Sequence, residues 1–341
     1  MRNSLEKLMN HENLTKEEIK RATNYCFTNE VTDTEIAAFL TALRLKGETS
    51  DEIAGIVDVI RSQSDMSSIQ LTNVMDNCGT GGDRSESFNI STTAAFVLAG
   101  AGVNVAKHGN RSVSSRAGSA DVLEALGVSL TLSKEETETT IQENNIAFLY
   151  APHVHAKLRP FMKIRQELGL PTIFNLIGPL TNPIQLDSQL IGVYDRDKLM
   201  TIGETLITLG RKRALVLNGA GKMDEASLAG ENHFVLVENS ELKAFTIHPE
   251  EVGLSVYDNE AIRGGDANEN AQILLSVLNN EAGAHLDTVL FNAALGLFAN
   301  GKARDVKEGV EIARESIASG NALARLNHLI RVSDNKQSSI V

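Results

Sequence analysis

Residues 79–92 read Gly79-Thr80-Gly81-Gly82-Asp83-Arg84-Ser85-Glu86-Ser87-Phe88-Asn89-Ile90-Ser91-Thr92, a glycine-rich segment that leads into a hydroxyl-rich helix start. Three glycines within four positions permit positive φ angles and a close backbone approach, so successive N–H groups can converge on one anion. The free amides at a helix start also favour negative charge. This segment therefore predicts a phosphate-binding loop, and an ordinary glycine turn is the alternative.

The residues before this loop, 74–78, have the composition of a strand. Strand, loop and helix in this order are typical of α/β proteins, which bind ligands beyond the carboxyl ends of their strands. The spacing is not that of a dinucleotide-binding fingerprint, because Arg84 rather than glycine stands three residues after Gly81. It is not a Walker loop either, because no lysine and hydroxyl pair closes it.

A second loop follows another strand-like run at 103–106. Residues 107–119 contain two glycines, three cationic residues and four serines, and they lead into a helix that ends near Gly127. One phosphate seldom needs so many donors. Two such loops after successive strands therefore indicate one ligand with phosphate groups at both ends.

The charge of the chain excludes several classes of partner. Its 341 residues include 32 Lys and Arg against 44 Asp and Glu, a net charge of −12. A surface of this sign repels nucleic acid and anionic membranes, so we expect neither as a partner. Positive charge is concentrated locally at Lys107, Arg111 and Arg116, and a divalent metal would neutralise the rest of a polyanionic ligand.

The first 64 residues have a helical pattern. Thr15 and Glu18, Thr32 and Glu35, and Thr49 and Glu52 have capping-box spacing. Two apolar stripes at helical spacing, the first of them Ile36, Phe39, Leu40 and Leu43, predict amphipathic helices.

From residue 72 onward, strand candidates at 146–150, 190–194 and 214–218 alternate with helical runs, and 234–237 with 244–247 indicate a hairpin. The predicted fold class is a small all-α domain plus a larger α/β domain with a mostly parallel central sheet covered by helices.

Several segments, taken in order, resemble the anthranilate phosphoribosyltransferase family. They are the loop at 79–83, the helix start at 89–92, the loop at 107–118, and the segments 165–169, 172–183, 223–225 and 264–271. The resemblance covers nearly the whole chain. It implies transfer of the 5-phosphoribosyl group from phosphoribosyl pyrophosphate (PRPP) to the amine of anthranilate in tryptophan biosynthesis. We expect a helical domain at 1–66 with a returning helical segment near 160–185, and a PRPP-binding α/β domain at 67–159 and 186–341.

The resemblance also implies the residues that bind PRPP, which come from both predicted loops. They are Gly79, Gly82, Asp83, Ser87, Asn89, Ile90, Ser91, Thr92, Lys107, His108, Gly109, Asn110, Arg111, Ser112, Val113, Ser114, Ser115 and Ser119. Breaking the C1–O bond of PRPP drives negative charge onto pyrophosphate, and donors in these loops would stabilise that charge.

Magnesium is the implied cofactor, with two ions per active site held by Ser91, Asp224 and Glu225. Adjacent acidic residues are common in this chain, and most such pairs suit solvated helix ends. The Asp224 and Glu225 pair differs in position, because it follows a strand candidate and the glycine-containing loop 218–222.

Anthranilate binding is implied for Gly79, Asn110 and Arg165. The planar guanidinium of Arg165 suits a carboxylate, although a surface arginine paired with Glu167 is the alternative. The aromatic amine is neutral at physiological pH and needs orientation rather than prior deprotonation. We therefore assign no residue as a catalytic acid or base, His108 included.

The chain departs from the family pattern in two places. It has His155-Ala156-Lys157-Leu158 where the family often has His-Pro-Ala-Met, and Pro171 where arginine is common. Both departures touch the side where anthranilate would enter, so they bear on the acceptor and not on PRPP.

Two other functions fit the sequence less well. A pyrimidine nucleoside phosphorylase shares the architecture, but its phosphate loop would read Lys-His-Ser-x-Gly-Gly, unlike Lys107-His108-Gly109-Asn110. A noncatalytic nucleic-acid-binding relative would need a basic groove, and a purely structural protein would leave both loops unexplained.

The resemblance further implies a homodimer formed through the helical domain. The longest apolar runs, near ten residues, are too short to span a membrane. The amino terminus lacks the apolar core of a signal peptide, so we expect a cytoplasmic protein.

Overall fold

A computed structural model describes the backbone of residues 1–112 and 116–338, and the side chains of these residues as far as Asp334. The strands are β1 (Val74–Gly79), β2 (Asn104–Gly109), β3 (Ile146–Tyr150), β4 (Ser188–Gly192), β5 (Arg213–Asn218), β6 (Asn232–Glu238) and β7 (Glu241–Ile247). The helices are α1 (Arg2–Met9), α2 (Lys16–Tyr25), α3 (Asp33–Lys46), α4 (Ser50–Ser62), α5 (Ile90–Gly100), α6 (Ser119–Ala125), α7 (Lys134–Asn144), α8 (Ala151–Val154), α9 (Arg159–Leu168), α10 (Phe174–Ile177), α11 (Leu199–Thr208), α12 (Ala267–Leu278), α13 (Ala284–Asn300), α14 (Val306–Ala318) and α15 (Asn321–Ser338).

The seven strands form one sheet in the order β3-β2-β1-β4-β5-β6-β7. Neighbours from β3 to β5 are parallel, whereas β6 pairs antiparallel with β5 and β7. This confirms the mostly parallel sheet and the predicted hairpin. The hairpin turns at Asn239 and Ser240, whose φ angles of 54° and 60° match the two-residue turns that suit twisted strands.

Two strands extend further than the sequence predicted. Gly79 pairs with Gly192 at the end of β1, and Gly109 pairs with Tyr150 at the end of β2. Residues 107–109 therefore belong to a strand and not to the second loop. Hydrogen bonding within the sheet outweighs the local preference of glycine for a turn.

We call the helices α1 to α4 of the first 64 residues the helical unit, and α2 to α4 form as their capping residues predict. Thr15, Thr32 and Thr49 each close a capping box with the glutamate three residues later. Ile36, Phe39, Leu40 and Leu43 are buried on α3, and Ile53, Ile56, Val57 and Ile60 are buried on α4.

The core has a large layer on each side of the sheet. On one face, α1 to α4 share a core with α9, α11 and the inward side chains of β4 to β6. On the other face, α5 and α12 to α15 pack against the sheet. The predicted fold class is confirmed, while the division of the chain at residues 66, 159 and 186 stays a prediction. No described helix is both long and apolar enough to cross a membrane.

Candidate active site

The first loop leaves β1 in the predicted glycine conformation. Gly81 and Gly82 have φ angles of 69° and 83°. The N–H of Thr80 donates to the carbonyl of Gly192 at 2.9 Å, which fixes the base of the loop to β4. The loop therefore starts at the carboxyl edge of the parallel strands, where ligands bind in open α/β sheets.

The acidic pair after β5 reaches this loop and the start of α5. The N–H of Gly81 donates to Asp224 Oδ2 at 2.6 Å, and the N–H of Ser91 donates to Glu225 Oε1 at 3.2 Å. The structure thus brings the acidic pair, which is more than 130 residues away in sequence, to the glycine loop and the helix start.

Three glycines make room for the acidic segment. A Cβ on Gly79 would lie 2.2 Å from Asp224 Oδ2, and one on Gly219 would lie 2.1 Å from the carbonyl oxygen of Glu225. A Cβ on Gly192 would lie only 1.5 Å from the carbonyl oxygen of Asp224. Sequence reasoning missed Gly192, because its contact with Asp224 arises only when β4 lies between β1 and β5 in the sheet.

Three carboxylates meet at this point. Asp83 Oδ2 accepts from the N–H of Asp224 at 3.4 Å. Burial, and then the charges of Asp83 and Glu225, hold the pKa of Asp224 well above its usual range. Burial also raises the pKa of Glu225 to about 7, although the charge of Lys107 opposes this shift.

These carboxylates repel one another in a site of low polarity, so a bound cation would favour their ionised forms. Carboxylate and hydroxyl oxygens are ligands that magnesium accepts, so the residues fit the implied metal. Among the described residues, no group of three or more His, Cys, Asp or Glu side chains has the arrangement of a metal cage. Magnesium fits such an open site, because it keeps waters and takes substrate phosphate oxygens as ligands.

Lys107 lies beside the helix start. Its side chain is buried, and Nζ donates to the carbonyl of Asn77 and to Ser91 Oγ, the latter at 3.3 Å. The charge of Lys107 therefore faces the same sheet edge as Ser91 and Glu225.

His108 points to the opposite face of the sheet, because successive strand residues alternate. Its buried ring packs edge-on against His155, with ring centroids 5.4 Å apart. Burial and the charges of His155 and Lys107 lower the pKa of His108 to about 3, while a hydrogen bond with the backbone of Gly178 opposes this. A ring with so low a pKa is a weak proton acceptor.

The second loop is organised by a residue that sequence reasoning missed. Asp121, in the first turn of α6, accepts from the N–H of Gly118 at 2.8 Å and from the N–H of Ser112 at 3.1 Å. An acidic residue three positions after a helix start was the available signal. Ser119 Oγ accepts from the N–H of Asn110 at 3.2 Å, which closes the loop on itself. Val113, Ser114 and Ser115 lie outside the described residues.

The side chain of Arg111 is engaged within its own loop. It forms ion pairs with Asp121 at 2.8 Å and Glu124 at 2.9 Å, and its guanidinium lies 5.8 Å from the centre of the Tyr150 ring. A phosphate contact by this side chain would have to compete with both carboxylates.

Asn89 joins the two loops. It stands at the start of α5, but its side chain does not cap the helix. Instead, it donates to the carbonyl of Ala117 at 3.2 Å and accepts from Asn270 Nδ2 at 2.9 Å. Asn270 also accepts from the N–H of Gly265 at 2.8 Å, so the 264–271 segment supports the helix start.

Arg165 lies on α9, with its guanidinium 5.1 Å from the centre of the Phe174 ring. The alternative pairing with Glu167 is not found among the described ion pairs, where Glu167 contacts Lys163 at 3.9 Å. Burial lowers the pKa of Arg165. No described hydrogen bond or ion pair links this side chain to either phosphate loop.

A narrow cleft extends from Thr80 of the glycine loop to Asn175 and Leu176 of α10. Pro171, one of the two departures, lines this cleft together with Asn175 and Tyr194. His155, from the other departure, is buried and hydrogen-bonds through Nε2 to the carbonyl of Thr181 at 2.9 Å.

Family models match both parts of this architecture. The model described as "Glycosyl transferase family, helical bundle domain" matches residues 2–64, and the one described as "Glycosyl transferase family, a/b domain" matches residues 71–323. The chain therefore belongs to this glycosyl transferase family.

Individual relatives narrow the assignment. Anthranilate phosphoribosyltransferase of Oceanobacillus iheyensis is 58% identical over 341 residues, which is 100% of each chain. The crystal structure of the enzyme of that name from Thermus thermophilus superposes with a TM-score of 0.92 at 40% identity, covering 97% of this chain and 99% of the other. The enzyme from Saccharomyces cerevisiae, solved in complex with PRPP and Mg, gives a TM-score of 0.89 at 27% identity over 98% of this chain and 97% of the other. Within the wider family, the chain belongs to the anthranilate phosphoribosyltransferases.

Proposed function

We propose that this protein transfers the 5-phosphoribosyl group of PRPP to the amine of anthranilate, giving N-(5-phosphoribosyl)anthranilate and pyrophosphate. The observation that carries the proposal is the pair of hydrogen bonds from the Gly81 and Ser91 amides to Asp224 and Glu225. They join a phosphate loop, a helix start and a carboxylate pair at one edge of the sheet.

The reaction breaks the C1–O bond of PRPP, and the bonding electron pair leaves with pyrophosphate. The amine nitrogen of anthranilate forms the new bond to C1 and then loses one proton. Negative charge grows on pyrophosphate as positive charge grows on the ribose. The rate therefore depends on donors fixed in advance around the leaving group rather than on a strong base.

The donors for the leaving group come from 79–83 and the start of α5. Their support is geometric: Gly81 and Gly82 turn the backbone, and the Ser91 amide at the start of α5 lies at the same edge, where it donates to Glu225. Lys107 supplies buried positive charge beside Ser91. The loop from Asn110 to the start of α6 holds the other phosphate of PRPP, and its described polar side chains include Asn110, Arg111 and Ser119.

Ser91, Asp224 and Glu225 would hold magnesium, two ions per site. When bound, the metal neutralises charge on the pyrophosphate oxygens. The raised pKa values of both carboxylates support this role, because they report a place where negative charge is not compensated by the protein alone.

Arg165 would bind the anthranilate carboxylate, with Gly79 and Asn110 beside the ribose. Its guanidinium is held against the Phe174 ring and is not consumed by a described ion pair. The yeast enzyme has also been solved in complex with 4-fluoroanthranilate, with a TM-score of 0.87 to this chain at 27% identity over 98% of this chain and 97% of that one. This likeness supports anthranilate as the acceptor.

The chain forms a homodimer through its helical unit and works in the cytoplasm. Two apolar side chains of this unit support the dimer, because they are exposed to solvent in the single chain: Met9 is 73% exposed and Leu45 is 77% exposed.

Product identification tests the function. Purified protein mixed with PRPP, magnesium chloride and anthranilate should give the phosphoribosyl adduct by mass spectrometry and one pyrophosphate per adduct. If no adduct forms and the protein instead releases thymine when it is given thymidine together with inorganic phosphate, the result would favour a pyrimidine nucleoside phosphorylase.

A further inference from the structure

The chain between α9 and β4 separates Arg165 from the strands that carry the phosphate loops. Its middle part is α10, a 3-10 turn at Gly178–Thr181, and Asn182. We call residues 174–182 the linking segment. Its first residue, Phe174, lies under the Arg165 guanidinium. The position of this segment therefore influences where the guanidinium lies relative to the sheet.

Buried side chains hold the linking segment by its carbonyl groups. Gln189 of β4, which has no exposed surface, donates through Nε2 to the carbonyl of Pro179 at 2.6 Å. His155 hydrogen-bonds to the carbonyl of Thr181 at 2.9 Å. These contacts fix the 3-10 turn. Of the strands β1 and β2 they reach only β2, where the His155 ring packs against His108.

Asn182 makes the connection to those two strands. Its Nδ2 group donates to Asp76 Oδ2 of β1 at 3.0 Å and to the carbonyl of Ala106 of β2 at 2.7 Å. Its Oδ1 accepts from the N–H of Ile184 at 3.1 Å. Asn182 is fully buried, and both of its donor hydrogens and its acceptor are used.

Asp76 is the other half of this contact, and we call the hydrogen-bonded pair of Asn182 and Asp76 the joint. Asp76 is fully buried, and its Oδ1 accepts from the N–H of His108 at 3.3 Å. Asp76 lies three residues before Gly79, and Ala106 directly precedes Lys107. The joint thus lies just below the strand ends that begin the donor site.

An interior carboxylate and amide are costly unless every polar group is paired, and paired groups fix geometry more narrowly than apolar contacts do. We infer that Asn182 is a positioning residue, which sets the linking segment, and through Phe174 the Arg165 guanidinium, against the strands that hold PRPP. This inference rests on the proposed role of Arg165 in binding the acceptor carboxylate.

The test compares two asparagines that are buried to a similar degree. Asn182→Asp keeps the size of the side chain but replaces its donors with a carboxylate oxygen facing Asp76. Asn144→Asp is the control, because Asn144 is 2% exposed and its Nδ2 donates to the carbonyl of Arg325 at 3.0 Å, joining α7 to α15 instead. Asn182→Ser, a smaller disturbance, is measured alongside in case the aspartate variant does not fold.

Both steady-state KM values are measured on folded protein, with thermal unfolding as the check. Because a displacement near 1 Å can cost up to about a hundredfold in rate, we expect KM for anthranilate to rise by about tenfold or more and KM for PRPP to stay within about twofold. Asn144→Asp should lower the unfolding temperature without this split.

An equal rise in both KM values, a loss of kcat alone, or unchanged kinetics in a folded Asn182 variant would each overturn the positioning role. The proposed function fails differently. In that case the wild-type protein gives no adduct, or Arg165→Lys leaves KM for anthranilate unchanged.

Discussion

The carboxylate of Asp224 accepts a hydrogen bond from the backbone N–H of Gly81 at 2.6 Å, between residues 143 positions apart. The acidic pair is therefore hydrogen-bonded directly to the backbone of the glycine loop. A change on either side is expected to disturb the other, and the site should respond as one unit.

Gly192→Ala tests the space that this unit needs. The new Cβ would lie 1.5 Å from the carbonyl oxygen of Asp224, so the acidic segment must move. We expect kcat/KM to fall by about a hundredfold, since misplacement near 1 Å has effects of this size.

The control for Gly192→Ala is Gly253→Ala. Gly253 has a φ of 79° and no neighbouring atom within 4 Å of the added Cβ, so it introduces backbone strain without a clash. It should cost about 1 kcal/mol of stability and leave kcat/KM unchanged. Equal kinetics in the two variants would contradict the packing argument.

Arg165→Lys tests acceptor binding. Lysine keeps the positive charge but loses the planar fork and its stacking on Phe174. KM for anthranilate should rise by about tenfold while KM for PRPP changes little, because the phosphate loops are untouched. Arg159→Lys, an exposed position on the same helix, should change neither value. A rise in KM for PRPP alone would argue against the assigned role.

Because His155 is buried, we expect the protein to become less stable as the pH falls below neutral. Burial lowers the pKa of His155 to about 4 from an ordinary value of 6.5. The unfolded chain therefore takes up a proton below pH 6.5 while the folded protein does not, so stability falls as pH falls toward 4.

Between pH 7 and pH 5 this residue should account for about 2 kcal/mol of lost stability. Denaturant unfolding of wild type and His155→Gln at both pH values measures the difference. The variant should lose about 2 kcal/mol less than wild type over this interval. An identical loss in both proteins would show that His155 is not the titrating group.

Leu45→Glu tests the proposed dimer. Leu45 lies on α3 and is 77% exposed, and a charge there would have to be desolvated in an interface. Sedimentation should show a dimer for wild type and a monomer for the variant. Met200→Glu, at 46% exposure on α11, is the matched change outside the helical unit and should remain dimeric. Dissociation by both variants, or by neither, would count against an interface at Leu45.

Local signals predicted the parts of the fold that local chemistry controls. The box of Thr32 and Glu35 and the hairpin of 234–237 with 244–247 depend on neighbours close in sequence, and the structure has both features. The predicted strand ends at residues 78 and 106 were wrong, because pairing with Gly192 and Tyr150 on adjacent strands extends β1 to Gly79 and β2 to Gly109.

Parts of the site were similarly beyond local reasoning. The glycine loop and the acidic pair could each be identified from residue type, but the role of Gly192 depends on a segment more than thirty residues away, beyond β5. The joint of Asn182 with Asp76 spans 106 residues, and nothing near either residue indicates its partner. Contacts of this kind follow from the strand order and not from composition.

We propose above all that the glycine loop and the acidic pair form one metal-dependent site for phosphoribosyl transfer. The loss of anthranilate fluorescence after addition of PRPP is measured over a magnesium titration, for wild type and for the double variant Asp224→Asn with Glu225→Gln. Wild type should consume anthranilate at a rate that rises with magnesium and saturates, and the double variant should be inactive while remaining folded. Undiminished, magnesium-dependent turnover in the double variant would contradict the claim.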